Sequence, residues 1–213
     1  MKLLAILVGK PKDLVFREQT ISTAINKDLV VGPVRMNELN IEGDQQADLK
    51  VHGGRDKAIY AYGFDAYDRW KKIRPQNQFP YGAMGENLCM DELDENSICI
   101  GDTFSLGSAI IQVSEPRFPC SRLTAKYADP ELIKQFVGVN RPGIYYRVLQ
   151  SGTIEAGNEM KVLDQEKIRF SITEFFALGL AKSGDPSRLQ EVLTIKNLNE
   201  NWRKKIATNF GRN

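Results

Sequence analysis

Ser97-Ile-Cys-Ile-Gly-Asp-Thr-Phe-Ser-Leu-Gly-Ser-Ala-Ile-Ile-Gln-Val-Ser114 is the stretch on which the fold turns. Three short apolar or alternating runs, residues 97–100, Thr103–Leu106 and 109–114, are separated only by Gly-Asp and Gly-Ser. Runs of that length between turn residues read as strands joined by tight turns. Working outward, Leu3–Val8 is a similar run stopped by Gly9 and Pro11, and residues 57–62, 143–149 and 159–163 repeat the pattern. Strands this short and closely spaced favour a barrel over stacked βαβ units. Helical patterns interrupt them. Residues 64–73 put Tyr67, Trp70 and Ile73 on one stripe, Ser121–Tyr127 suits a short helix, and Asp129-Pro130 opens another through about Val137. Beyond residue 163 the character changes. Ser171-Ile-Thr-Glu174 is a capping box, Asp185-Pro186 caps residues 187–193, and residues 199–210 place Trp202, Ile206 and Phe210 on one face. The reading is a mostly β chain with helices: a β-barrel domain over residues 1–163 and a small three-helix C-terminal domain over residues 164–213.

Composition narrows the chemistry. The chain has 213 residues, 42% hydrophobic and 26% charged, an ordinary globular mix. The apolar run at its start is too short for a signal peptide or a membrane span, so a cytoplasmic setting is expected. The three cysteines, Cys89, Cys99 and Cys120, form no C-x-x-C, and the one histidine, His52, excludes a zinc site built on two or three histidines. No G-x-S-x-G, Walker A or G-x-G-x-x-G motif occurs. The net charge of +2 is uneven: residues 165–213 hold nine Lys/Arg against five Asp/Glu. Arg203-Lys204-Lys205 could touch nucleic acid, although three cations on a helix more often form a solvated face.

Two residues stand out. Cys120 lies in Pro116-Arg117-Phe118-Pro119-Cys120-Ser121-Arg122, a loop stiffened by two prolines just ahead of a helix. The helix start, Arg117, and Arg122 with Lys126 one turn apart all favour the thiolate over the thiol. The plain alternative is a buried inert cysteine, which suits Cys89 and Cys99 better. His52 precedes Gly53-Gly54 and then Arg55 and Lys57, so a sharp turn beside two cations could cradle an anion. Asn87, in Gly85-Glu86-Asn87-Leu88, could present an amide to a polar ligand or merely cap a turn. Arg141, in Asn140-Arg141-Pro142-Gly143, could clamp a phosphate or sit on a surface turn. The sum is a thiolate and a histidine ringed by Arg55, Lys57, Arg117, Arg122, Lys126 and Arg141: a soft-metal or electrophile site beside a phosphate-bearing ligand.

These segments resemble the MOSC domain family, in its bacterial YiiM-type branch. The resemblance runs through Val8-Gly9-Lys10-Pro11, Thr23-Ala24-Ile25-Asn26-Lys27, Gly43-Asp44-Gln45-Gln46-Ala47-Asp48, His52-Gly53-Gly54, Lys57-Ala58, Gly85-Glu86-Asn87-Leu88, Ile100-Gly101-Asp102 and Glu115-Pro116-Arg117-Phe118-Pro119-Cys120. It covers nearly the whole chain and departs from the family pattern at Pro142 and Asn158. It implies a MOSC β-barrel with a small helical domain after it. It also implies a bound molybdenum cofactor (molybdopterin), with Cys120 as the metal ligand and the cations around its phosphate. The implied reaction is reduction of N-hydroxylated compounds, including N-hydroxylated nucleobases such as 6-N-hydroxylaminopurine, in which N–OH becomes N–H and water. His52 could donate a proton or orient the substrate.

Pyridoxal phosphate fits poorly, because no lysine stands in a Schiff-base context. With no flavin or nicotinamide fingerprint, the electrons would come from a separate flavoprotein. Two other classes remain open: a non-catalytic carrier of the cofactor or of sulfur, and, more weakly, a nucleic-acid-binding module.

Overall fold

Leu-Leu-Ala-Ile-Leu-Val, apolar at every position, cannot face water on either side, and as β1 (Leu3–Val8) it lies inside the molecule with Leu3, Ala5, Ile6 and Leu7 fully buried. The structure is a computed structural model and describes residues 1–47, 53–181 and 184–209. Strands follow as β2 (Lys12–Phe16), β3 (Gln19–Thr23), β4 (Asp28–Val30), β5 (Val34–Met36), β6 (Ile59–Gly63), β7 (Leu88–Met90), β8 (Thr103–Leu106), β9 (Ala109–Pro116), β10 (Ile144–Gln150), β11 (Gly152–Ile154) and β12 (Met160–Asp164). The helices are α1 (Tyr67–Ile73), α2 (Ser121–Tyr127), α3 (Glu131–Val139), α4 (Ile172–Leu180), α5 (Pro186–Thr194) and α6 (Glu200–Asn209), with 3₁₀ turns at Arg55–Lys57 and Phe64–Ala66.

Among the described residues, eight strands hydrogen-bond in the order β12-β8-β9-β10-β6-β7-β1-β4. All pairs are antiparallel except β6–β7, where Ala61 faces Leu88. A parallel pair needs a long crossover, and α1 lies within it. Separate two-stranded pieces are β2–β3 and β5–β11.

The ladder is open, so the expected closed barrel is corrected. The reason lies in β1, whose outer edge is divided. Its second half pairs with β4 from Ile6 to Val8. Its beginning meets the segment before β12 through the single bridge Lys2–Glu159 and the bond from Leu3 N to Asn158 O (2.9 Å). Neither partner is long enough to run a full ladder from β12 to β1. Residues 97–100, expected as a strand, make only the single antiparallel bridge Cys99–Ser171 between turn residues. The Asp102 carboxylate accepts the Cys99 amide (2.9 Å) and pairs with Arg169, while Ile98 and Ile100 bond to the backbone of residues 170–172.

Two apolar clusters sit on this frame. One gathers Tyr60, Tyr62, Tyr67, Trp70, Phe79 and Phe136, and its largest ring is anchored by a bond from the Trp70 indole to the Tyr62 hydroxyl (2.8 Å). Ile73, expected on the same stripe, is instead 46% exposed at the end of α1. The other joins sheet residues such as Ile98, Phe104 and Ile111 to Phe175, Leu189, Val192, Trp202 and Ile206 of α4–α6. Ser171 caps α4, its hydroxyl accepting the Glu174 amide (3.2 Å), and Asp185 caps α5. Phe118 touches both clusters. Its ring lies 5.4 Å from that of Phe176 and 5.1 Å from that of Trp202, directly over Gly179.

The Gly179 position tests this contact. A Cβ there would lie 2.3 Å from Phe118 Cζ and 2.9 Å from Trp202 Cη2. Gly179→Ala gains helix propensity of at most about 1 kcal/mol but overpacks, at about 1–3 kcal/mol. The variant should unfold at lower denaturant than the parent, and an unchanged or higher midpoint would show that Phe118 moves aside freely.

Candidate functional site

The Phe118 contact fixes the loop that carries Cys120. Pro116 ends β9, Phe118 is held by α4 and α6, and Cys120 is the N-cap residue of α2, extended at φ −142° and ψ 165°. The Leu123 amide closes the first turn onto the Cys120 carbonyl (3.1 Å). The thiol is half-buried, whereas Cys89 and Cys99 lie in the core. Burial pushes the Cys99 thiol up to about 11 and Cys89 far above its ordinary value. One cysteine of the three is therefore placed to react or to bind.

Cys120 opens onto a cavity of about 260 Å³, close to the lower end of small-molecule pockets, about 300–1,000 Å³. Lys57, Asn87, Arg117 and Arg122 line it with Cys120. Arg117 is buried, donates to the Met84 carbonyl and lies 4.8 Å from the Tyr60 ring centre. Asn87 is committed to the frame: its amide donates to Leu7 O (3.2 Å) and Asp44 Oδ2 (2.9 Å), and its Oδ1 accepts the Tyr60 amide (3.2 Å). Glu115, Phe118 and Tyr145 complete that side.

Other expected residues lie elsewhere. Arg55 is exposed and outside the lining. Lys126 sits behind the wall, donating to the carbonyls of Gly82 (2.6 Å) and Ile25 (3.4 Å). Burial lowers its ammonium to about 8. Arg141 is away from the cavity, buried against Glu95, the Leu93 carbonyl (2.7 Å) and Asp65 (2.8 Å). His52 lies outside the described residues, although Ala47 and Lys57 on either side of that gap line the cavity.

Lys27 is the cation that sequence reasoning missed. It lines the cavity with its side chain 7% exposed, paired with Asp44 at 2.5 Å. Asp44 also accepts the Gly9 amide (2.6 Å). The signal was present in Asn26-Lys27 and Gly43-Asp44, but the pairing appears only in space. Burial lowers Lys27 despite Asp44, and burial raises Glu86, which takes the Tyr67 hydroxyl (2.6 Å) and two amides. Among the described residues, the carboxylates that bear most on Lys27 and Lys126 are Asp44 and Glu86, with Arg117 a third cation beside them and Glu115 on the same lining as Lys57 and Arg122. An anionic group entering the cavity would relieve this positive excess. No three His, Cys, Asp or Glu side chains among the described residues converge on a metal position. A thiol beside several cations fits a soft-to-borderline metal carried by a phosphate-bearing cofactor.

The chain matches the family model described as the MOSC domain over residues 48–161. It is similar to the uncharacterized protein YflK of Bacillus subtilis, 33% identical over 202 residues, 94% of this chain and 90% of that protein. It also resembles a protein named reductase from Gibberella moniliformis, 34% identical over 155 residues, which are 71% of this chain but 28% of that longer protein. Among solved structures, YiiM from Geobacillus stearothermophilus superposes with a TM-score of 0.81 at 30% identity, covering 98% of both chains. No helix among the described residues is long and apolar enough to cross a membrane.

Arg141 offers a direct check on its placement. Arg141→Ala strands Glu95, buried to 1% exposure, and breaking such a pair costs about 3–5 kcal/mol. The variant should lose that stability in denaturant unfolding. A stable variant with weakened phosphate binding would place Arg141 in the ligand site instead.

Proposed function

We propose a function from an established premise: the chain belongs to the MOSC domain family, in its YiiM-type branch. The function is reduction of N-hydroxylated compounds, N-hydroxylated nucleobases among them, at a molybdenum cofactor held in the cavity beside Cys120. One observation carries this reading: the single half-buried cysteine stands on a cavity lined by Lys27, Lys57, Arg117 and Arg122. The match to a segment of a fungal reductase supports the direction of the chemistry.

In this reading the Cys120 sulfur holds the metal, and the cations hold the phosphate of the pterin. Arg117 is suited to that task, because its guanidinium is already fixed by the Met84 carbonyl and the Tyr60 ring. Lys126 supports the same potential from the second layer, and Asn87 keeps Asp44 and Lys27 in register. The cofactor, when bound, supplies the two electrons that break the N–O bond. Phe118, Pro119 and Tyr145 offer a planar substrate apolar and aromatic surface. His52 is proposed to orient the substrate or to donate a proton, histidine being the side chain whose ordinary pKa lies near neutrality. Residues 1–163 carry the cofactor, and residues 164–213 brace its loop through Phe118. The electron donor is a separate flavoprotein, docking on the basic face of residues 165–213, and the setting is the cytoplasm.

Cys120→Ala, made in a cofactor-competent host and checked for folding by circular dichroism, should lose molybdenum and reductase activity. Cys89→Ala and Cys99→Ala should keep the metal. Full molybdenum content in Cys120→Ala would sink the ligand assignment, and loaded wild-type protein that reduces no N-hydroxyadenine would be a carrier.

Electron supply gives a second test. NADPH alone should support almost no turnover, and reduced viologen or an added flavoprotein reductase should restore it. The flavoprotein-coupled rate should fall with salt. NADPH-driven turnover by the single chain would rule out the separate donor.

A further inference from the structure

We propose that Glu115 and Lys57 form the proton-delivering pair of this cavity, an assignment that rests on the reductive reading above. Reduction of R–NH–OH to R–NH₂ and water takes two electrons and two protons. The electrons come from the cofactor, replenished by an external reductant, so the protein must supply a route for protons.

Among the described residues, the other carboxylates at the cavity, and the Tyr60 hydroxyl, are already engaged. Asp44 accepts from Gly9, Lys27 and Asn87. Glu86 is fully buried and takes the Tyr67 hydroxyl and the amides of Gly82 and Met84. The Tyr60 hydroxyl donates to the Pro142 carbonyl (2.9 Å). Glu115 differs. It lines the cavity at 3% exposure, and its Oε2 accepts the Trp202 indole. Its Oε1 is shielded from water and accepts no hydrogen bond of ordinary geometry, with Lys57 Nζ 3.5 Å away. A buried carboxylate oxygen whose nearest donor is one ammonium at 3.5 Å is incompletely compensated, and a proton on it removes part of that cost.

Every element packed on Glu115 bears on its charge. The 3₁₀ turn brings Lys57 and Asp56, and α6 brings the Trp202 indole. Beside it, β10 brings Tyr145 and also Arg147, whose guanidinium is paired with Asp56 (2.8 Å), and Arg117 lies two residues on. Burial pushes the carboxyl up, Lys57 and the indole pull it back, and Asp56 adds to the rise, leaving it raised. Lys57 is the outlet, its side chain 26% exposed on the cavity lining.

In the step that follows, the Lys57 ammonium gives a proton to the hydroxyl oxygen as the N–O bond breaks and water departs. The N–O bonding pair leaves with that oxygen, the two electrons supplied to the reaction go to nitrogen, and nitrogen takes the second proton from bulk water. The Glu115 carboxyl reprotonates the Lys57 amine and is recharged from solvent along the same route.

Two measurements test this. The first needs no cofactor. Infrared difference spectra of wild type against Glu115→Gln, whose amide oxygen can still accept the Trp202 indole, should show a protonated carboxyl band at neutral pH that the variant lacks. An unchanged band means that Glu115 is ionised and overturns the pairing, whatever the reductase result. The second uses loaded protein, reduced viologen and N-hydroxyadenine. Glu115→Gln should keep its molybdenum and lose about 100-fold or more in kcat. Wild-type kcat should fall as pH rises through the carboxyl's titration, a limb absent from Glu115→Gln and regained in part by Glu115→Asp. Equal rates and pH profiles would remove Glu115 from the reaction. Loss of the band in Glu115→Gln together with an inactive wild type would instead overturn the reductase reading while leaving the protonated carboxyl in place.

Discussion

The Phe118 ring pressed onto the backbone of α4 at Gly179 is the contact on which the rest of the site depends. Two prolines already restrict the loop around it, but restriction alone does not say where the loop sits. The packing of Phe118 against Phe176 and Trp202 does, and Cys120 follows two residues later at the start of α2. The C-terminal helices therefore act as a backstop for the loop. Trp202 serves twice, stacking on Phe118 and bonding Glu115.

Charge sets the second constraint. Buried ions are normally paired, because desolvation penalises each one. Around this cavity the cations outnumber the acids among the described residues: Lys27, Lys57, Arg117, Arg122 and, behind them, Lys126 stand against Asp44, Glu86 and Glu115. Stability alone would favour a neutral count. The imbalance makes physical sense where an anionic group is meant to enter, and it identifies the wall on which that group would rest. The one cysteine thiol that is not buried in the core stands on the same cavity.

Much of this was legible in the chain. Apolar runs bounded by glycine marked β1, β8 and β9, and the caps at Ser171 and Asp185 marked α4 and α5. The β2–β3 hairpin was not, because its turn residues Arg17 and Glu18 take positive φ (49° and 62°) without the Asn-Gly pattern that announces such turns. Ser97 to Ile100 looks like a strand but is drawn into a turn by Asp102 and Arg169, a contact 67 residues apart. Cys120 carried its own signal in neighbouring residues. Lys27 did not, since its meaning depends on Asp44, and Arg141 reads like a surface clamp until Glu95 is seen beside it.

The divided edge of β1 has a consequence for the order of assembly. Strand β1 takes partners from β4 and β7, and the residue before it bridges the segment before β12, so residue 2 waits for residue 159. Its antiparallel neighbour β7 also pairs in parallel with β6, which must wait for the crossover between those two strands. Contacts this distant along the chain slow folding. Until they form, an uninterrupted apolar strand stands with an open edge, the kind of surface on which chains adhere to one another. The chain is most vulnerable to aggregation at β1, until Asn158 and Glu159 have been synthesised and can cover that edge.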